Sequence, residues 1–373
     1  MNIETLAAHS GHEVDPVSGA VIPPLVLSTT FARKQDGSLI GEHLYSRMGN
    51  PNRDALEQTL AQLEGGGACV TFSSGQAASM SIFHALSPGD HVLMPLEMYY
   101  NTRGLLENHY SRWNLQSSYV DMTDLKLVRQ SVRNNTRLVF IETPSNPRLL
   151  ITPISDIVSI AHEVGALCAV DNTWATPIFQ NPLGLGADLV IHSLTKYIGG
   201  HSDILAGCII GRDAEHPVLK RIRNFQATAG AVPSPFECWL LQRSIPSLPC
   251  RVRTQCKTAK IIAQFLNQHS RIETTHYPGL PGHPGYSIAA SQMSDFGAML
   301  SFEVKGGREA AVKTCSRLKL FTRATSLGGF ESLIEHRVLV EGPTSTTPAG
   351  LLRCSIGLEH PDDLMADLTQ ALE

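Results

Sequence analysis

Long hydrophobic runs are missing from this chain. Its longest apolar stretch, around Ile204–Ile210, is broken by Gly207 and is far too short to cross a bilayer. The first residues, Met1 to Glu13, carry Glu4, His9, His12 and Glu13 with no continuous apolar core, so no secretory signal is expected there. There is no Lys/Arg run, and the formal net charge is −4, which argues against nucleic acid or an anionic membrane as partner. A soluble, cytoplasmic protein is expected. No repeat period and no low-complexity segment occur. Eight cysteines are present (Cys69, Cys168, Cys208, Cys238, Cys250, Cys256, Cys315, Cys354), but none is paired as C-x-x-C. Several lie inside apolar runs, which suggests buried, reduced thiols and no metal centre.

What is present is enough chain, 373 residues, for a large domain with a smaller one attached. Residues 1–50 are rich in Pro, Ser, Thr and Gly and read as an extended arm. Over residues 51–245, β-prone runs recur at Cys69–Phe72, His91–Met94, Leu138–Glu142, Leu167–Asp171, Asp188–His192 and Cys208–Gly211. Helical patterns separate most of them, such as Pro153–Val164 closed by Gly165. That alternation predicts an α/β domain with a large, mainly parallel sheet covered on both faces. Beyond Pro246–Pro249 the pattern changes to a long helix at Arg251–His269, strands near Ile272–His276, Ala298–Val304 and Leu351–Ile356, and helices near Arg308–Leu318 and from Pro361. Residues 246–373 are therefore expected to form a smaller α+β domain.

Ligands of open parallel sheets collect beyond the carboxyl ends of the strands. After Cys69–Phe72 come Ser73-Ser74-Gly75-Gln76 and a helical run, a turn that suits a phosphate at a helix N-terminus and equally a plain strand–helix turn. After Leu167–Val170 comes Asp171, which can act as an N-cap or as a functional acid. After Asp188–Ile191 come His192-Ser193-Leu194-Thr195-Lys196-Tyr197. An aldehyde cofactor with a phosphate tail needs an amine whose pKa burial can lower, hydroxyls and N–H groups for the phosphate, a carboxylate against the pyridine nitrogen, and an aromatic face. Lys196, Ser193 with Thr195 and the Gly75-Gln76 turn, Asp171, and Tyr99 can supply these in that order. His192 and His201 look like a metal pair, yet no spacing supplies the further ligands zinc would need.

The run His192-Ser193-Leu194-Thr195-Lys196-Tyr197-Ile198-Gly199-Gly200-His201-Ser202-Asp203 resembles the cofactor-lysine signature of the Cys/Met-metabolism pyridoxal-phosphate family. Ser18–Pro24, Tyr45-Ser46-Arg47, Asn50-Pro51, Glu142–Pro147, Ser326-Leu327-Gly328-Gly329 and Leu351-Leu352-Arg353 resemble further blocks of that family, so the likeness runs over nearly the whole chain. The resemblance implies the aspartate-aminotransferase-like fold (fold type I) and pyridoxal 5'-phosphate. Lys196 would hold it as a Schiff base and then move protons, Asp171 would pair with the pyridine nitrogen, and Tyr99 would stack on the ring and touch the substrate amine. Gly75, Gln76, Ser193 and Thr195 would hold the phosphate. Tyr45 and Arg47 would reach in from a neighbouring subunit, which implies a homo-oligomer with shared sites, at least a dimer and commonly a tetramer. Asn146 would sit near the cofactor's phenolic oxygen. Arg353 would grip the substrate carboxylate as a fork, with Ser326 and Asn146 beside it. Arg47 also fits a surface ion pair, and Tyr45 a packing role.

Three departures bear on the reaction. Tyr100 and Asn101 replace small residues after Tyr99, Thr325 stands where a Glu is frequent, and Glu335–Gly342 replaces a Pro-x-x-Met-Thr-His segment. The ionisable side chains of that last segment fit the substrate entrance and surface ion pairs equally. The expected activity is trans-sulfuration on a small amino acid, with γ-replacement on an O-acylhomoserine by a thiol, of the cystathionine γ-synthase kind, favoured. Cystathionine γ- or β-lyase and O-acylhomoserine sulfhydrylase are the alternatives, and an inactive binding protein of the same fold is a remote one.

Overall fold

The computed structural model describes residues 1–342 and 346–373. Seven strands build the large sheet: β1 (Ala68–Phe72), β2 (His91–Pro95), β3 (Gln116–Val120), β4 (Thr136–Glu142), β5 (Leu167–Asp171), β6 (Leu189–Ser193) and β7 (Gly207–Gly211). Their order is β1-β7-β6-β5-β4-β2-β3. Every pairing from β6 through β3 is parallel, whereas β7 runs antiparallel to both β6 and β1. Two reversals cancel, so β1 points the same way as β6. All carboxyl ends except that of β7 therefore meet at one edge. The central strands are buried on both faces, β2 and β7 along their whole length, which is why they read as continuous apolar runs.

Local signals explain the flanking helices. Helix Pro51–Glu64 starts with Pro at its first turn, is capped by Asn50 accepting from the Asn52 N–H, and stops at Gly65 with φ 68°. Helix Ile154–Glu163 ends as expected before Gly165, whose φ is 70°. Helix Leu248–Gln268 begins earlier than expected because Pro249 falls in its first turn, where a missing N–H costs nothing.

A second sheet follows in the order β10-β11-β12-β9-β8: β8 (Ile272–His276), β9 (Met299–Val304), β10 (Thr322–Arg323), β11 (Leu333–His336) and β12 (Leu351–Ser355). Only β10–β11 is parallel. Helix Leu248–Gln268 lays Val252, Cys256, Ala259, Ile262, Ala263 and Leu266 into one apolar cluster with Leu300 and Phe302 of β9, and that cluster also takes in Leu194, Tyr197 and Ile198 beside the candidate site. The C-terminal sheet and the lysine-bearing turn thus share a core.

The first fifty residues differ in part from the extended arm expected. They open with a helix, Ile3–His9, whose Ala7 is fully buried. The stretch after it carries no long element and is tied down by single contacts, the Trp239 indole donating to Pro23 O at 3.0 Å and the Val26 N–H to Asn52 Oδ1 at 2.8 Å. All eight cysteines are free, and seven are buried; Cys250, in the long helix, is exposed, contrary to expectation. Among the described residues no helix is long and apolar enough to cross a membrane.

Candidate active site

A cleft opens where the carboxyl ends of β1, β4, β5 and β6 face the second sheet. Its walls include Gly75, Gln76, Tyr99, Asn146, Asp171, Ser193, Thr195, Lys196, Ser326 and Arg353, residues scattered over nearly 280 positions. Tyr45 and Arg47 are not among them. The Arg47 guanidinium donates to Ala227 O at 2.5 Å and lies near the Tyr45 ring, which is half open to solvent.

Lys196 sits in the turn after β6, mostly buried. Burial, followed by repulsion from Arg353, pulls its ammonium down to about 8, with Glu335 pulling the other way. Its Nζ lies 2.6 Å from Ser326 Oγ. Ser326 gets there on a backbone with φ 90°, and the next residues pass so close that a Cβ on Gly328 would stand 2.6 Å from Tyr197 N. Only glycine allows that approach.

Asp171 and Glu142 end adjacent strands as register partners. Both carboxyls are pushed up, first by burial; for Glu142 the neighbouring Asp171 adds to this, and it rises to about 8. Two buried carboxylates side by side hold one negative charge far more readily than two. Glu142 receives the Tyr99 N–H at 2.9 Å and the Asn146 N–H at 3.1 Å, thereby fixing both flanking loops. Asp171 receives the Thr173 N–H at 3.0 Å, and Thr173 Oγ1 in turn accepts from Ser193 N at 2.9 Å.

At the β1 end, Ser74 caps helix Gly75–His84 by accepting from the Ala77 N–H. That leaves the first N–H groups at the positive end of the helix dipole pointing to the cleft. A Cβ on Gly75 would meet Ser193 Cβ at 3.0 Å, and one on Gly207 would stand 2.5 Å from Gly75 Cα. The turn is thus a cradle with no room for side chains. Gln76 donates to Thr102 Oγ1 at 3.1 Å while its buried Oε1 has no partner.

Arg353, on β12, is buried. Its Nη1 donates to Asn146 Oδ1 at 3.1 Å, and its Nη2 to Ser326 O at 3.1 Å and Glu335 Oε2 at 2.8 Å. The anionic partner that its burial demands is thus present within the chain. Glu142, Thr173, Trp174 and Thr102 line or brace the cleft, and the sequence assigns none of them a role; Glu142's place at a strand end beside that of Asp171 is the available signal. The two histidines have ordinary partners, His192 Nε2 with Glu64 Oε1 at 2.5 Å and His201 Nδ1 with Gly199 O at 2.7 Å.

A lysine of lowered pKa, a buried carboxyl in the same cleft and an N–H cradle fit pyridoxal phosphate. Its phosphate would lie at Gly75, Gln76 and Ser193, and its ring nitrogen at Asp171. Fold and cleft together are those of the fold type I pyridoxal-phosphate enzymes. The chain belongs to the Cys/Met metabolism PLP-dependent enzyme family, which matches residues 4–373. It is 43% identical over 377 residues to a cystathionine gamma-synthase of Mycobacterium leprae, covering 99% of this chain and 96% of that one. It is 40% identical over 380 residues to a cystathionine beta-lyase of Coxiella burnetii, covering 100% and 98%. Among solved structures, metB from Corynebacterium glutamicum superposes with a TM-score of 0.97 at 40% identity, covering 100% of this chain and 98% of the other. Pyridoxal 5'-phosphate is accordingly the cofactor, and the chain is a trans-sulfuration family enzyme.

Proposed function

We propose that this protein catalyses γ-replacement on an O-acylhomoserine, with a thiol such as cysteine as the incoming group. The observation that carries the choice of first substrate is the make-up of the cleft lining. Among the described residues, Tyr99, Tyr100, Thr325, Arg337, Val340 and Arg353 belong to it, and the two acids in the lining, Glu142 and Asp171, belong to the strand ends. Among the described residues no carboxylate other than these two lines the cleft, which suits the ammonium-free acyl group of an O-acylhomoserine as the first substrate. The amine of incoming cysteine is the one cystathionine carries, so the lining supports the first substrate and not the choice of thiol.

Bound pyridoxal phosphate supplies an electron sink conjugated to the substrate's Cα. Lys196 holds the cofactor and, once displaced by the substrate amine, takes the proton from Cα and returns protons along the substrate. Asp171 keeps the ring nitrogen protonated. Tyr99 covers the ring and accepts a proton from the incoming amine. Gly75, Gln76, Ser193 and Thr195 anchor the phosphate, Asn146 orients the phenolic oxygen, and Arg353 with Ser326 fixes the substrate carboxylate.

The same reading makes the enzyme a cytoplasmic homo-oligomer, at least a dimer and commonly a tetramer, built from an arm (residues 1–50), a cofactor domain (51–245) and a C-terminal domain (246–373). Tyr45 and Arg47 would complete a neighbour's phosphate site. The arm supports this: Val14, Val17, Val21, Ile22, Leu27 and Ile40 all stand open to solvent on the single chain, an apolar surface suited to a subunit contact.

A C–S lyase is the second reading, favoured by the likeness to the Coxiella beta-lyase. The test is incubation with O-succinyl- or O-acetylhomoserine, with and without cysteine. Cystathionine formed only with cysteine supports replacement, whereas keto acid and ammonia released from cystathionine alone overturn it.

A further inference from the structure

Arg353 is not alone at its end of the cleft. Glu335 is its cross-strand partner in the β11–β12 register, so both side chains leave the same face of the sheet. Two residues later, where β11 gives way to helix Arg337–Glu341, a second guanidinium returns to the same place. Arg337 Nη1 lies 2.5 Å from Glu335 Oε2, the very oxygen that Arg353 Nη2 approaches at 2.8 Å. Arg337 also donates to Glu341 Oε1, from Nε at 3.2 Å and from Nη2 at 2.9 Å. Glu335, Arg337 and Arg353 are all buried, and Arg337 and Arg353 line the cleft.

One buried carboxylate oxygen is thus shared by two guanidiniums. A carboxylate fixed on Arg353 competes with any second anion for the same positive charge, and at short range and low dielectric that competition is strong. A second cation on that same Glu335 oxygen offsets its charge and holds it in place. Without that cation Glu335 would have Arg353 as its sole close guanidinium.

We propose that Arg337 is a positioning residue: by sharing Glu335 it keeps Arg353 available, and so sets how tightly the cleft holds the α-carboxylate of an amino acid. This rests on the reading of Arg353 as the carboxylate grip. A merely structural ion-pair network would change stability on mutation, but it would not discriminate between ligands that differ only in a carboxylate.

The test uses the holoenzyme and two competitive ligands without a γ leaving group: L-norvaline, and butylamine, which is norvaline minus its carboxylate. Arg337→Met removes the charge and keeps much of the apolar stem. The norvaline inhibition constant is expected to rise roughly tenfold, the scale of one uncompensated charge near a buried site, with the butylamine constant nearly unchanged. Glu335→Gln removes the competitor and is expected to lower the norvaline constant below wild type. The double variant E335Q/R337M, which removes the acid shared with Arg353 and leaves Glu341 as the further one, is expected to reverse most of the loss. An unchanged norvaline constant in R337M, an equal rise for butylamine, or weaker norvaline binding in E335Q would each overturn the proposal. Arg353→Ala separates the two levels: an unchanged norvaline constant there removes the reading of Arg353 itself and the proposal with it. A rise in R353A without one in R337M removes the proposal alone.

Discussion

Lys196 Nζ and Ser326 Oγ lie 2.6 Å apart, although 130 residues separate them in the chain. The contact draws a loop of the C-terminal sheet over the turn that follows β6, and it places the amine inside the cleft rather than in solvent. A lysine at a strand end that merely served solubility would have no reason to be buried beside a hydroxyl and a guanidinium.

The first prediction concerns that amine. The purified protein incubated with pyridoxal phosphate is expected to show a visible cofactor band that borohydride bleaches with covalent retention of the cofactor. Lys196→Ala is expected to lose both band and retention while keeping its far-ultraviolet circular dichroism. A colourless wild-type protein would remove the enzyme reading altogether.

The second concerns pH. Burial, followed by Arg353, depresses the Lys196 ammonium to about 8. Only the neutral amine attacks an aldehyde, so cofactor uptake by the apoprotein should accelerate as pH rises, by roughly tenfold per unit well below the inflection, and level off above it. Arg353→Gln removes a repelling cation, which favours the ammonium, so the inflection should move upward. Absorbance-monitored uptake between pH 6 and 10 measures it, and a downward move would contradict the electrostatics described above.

Arg353 itself gives the third. Truncation to Ala is expected to raise KM for the amino-acid substrate by about 2 kcal/mol or more, roughly thirtyfold, because a charged bidentate partner is lost. The cofactor spectrum should be intact. Loss of the band in R353A would mean that the residue serves the cofactor instead.

The fourth tests the cradle. Gly207→Ala places a methyl 2.5 Å from Gly75 Cα, and Gly75→Ala places one 3.0 Å from Ser193 Cβ. Overpacking of this kind costs about 1–3 kcal/mol, read as a lowered urea midpoint. Both variants should also lose more affinity for pyridoxal phosphate than for pyridoxal, since the phosphate end is the part disturbed. Equal weakening of the two ligands would place the phosphate elsewhere.

Much of the fold is legible in the amino-acid sequence. The buried strands β2, β4, β5, β6 and β7 announce themselves because both their faces are covered and their sequences run apolar with little interruption. β3 is missing from the strands expected on sequence for the opposite reason: as the edge strand Gln116–Val120, it reads Gln-Ser-Ser-Tyr-Val and is mostly half-buried or exposed. β10 has two residues and β11 four, and both exist through pairing with distant partners, which no local propensity records. The opening helix, Ile3–His9, is short, and its buried Ala7 packs against an apolar cluster drawn from the two sheets and the helices around them. In the cleft, Lys196, Asp171 and Gly75 each follow or end a strand and are found by position. The sharing of Glu335 between Arg337 and Arg353 depends on β11–β12 register, a long-range fact.

The reach of the cleft along the chain has a consequence for biogenesis. Gly75, Asp171 and Lys196 are synthesised before Ser326 and Arg353, and Arg353 bonds Asn146 across 207 positions. A nascent chain that has extruded the whole parallel sheet therefore owns Lys196 and the Gly75 turn but not the side chains of the C-terminal sheet that bury the lysine. Cofactor held in the closed cleft would then report a chain whose C-terminal sheet has docked. Because a ligand that binds only the finished state stabilises it by mass action, vitamin supply should govern how much of the newly made protein survives quality control.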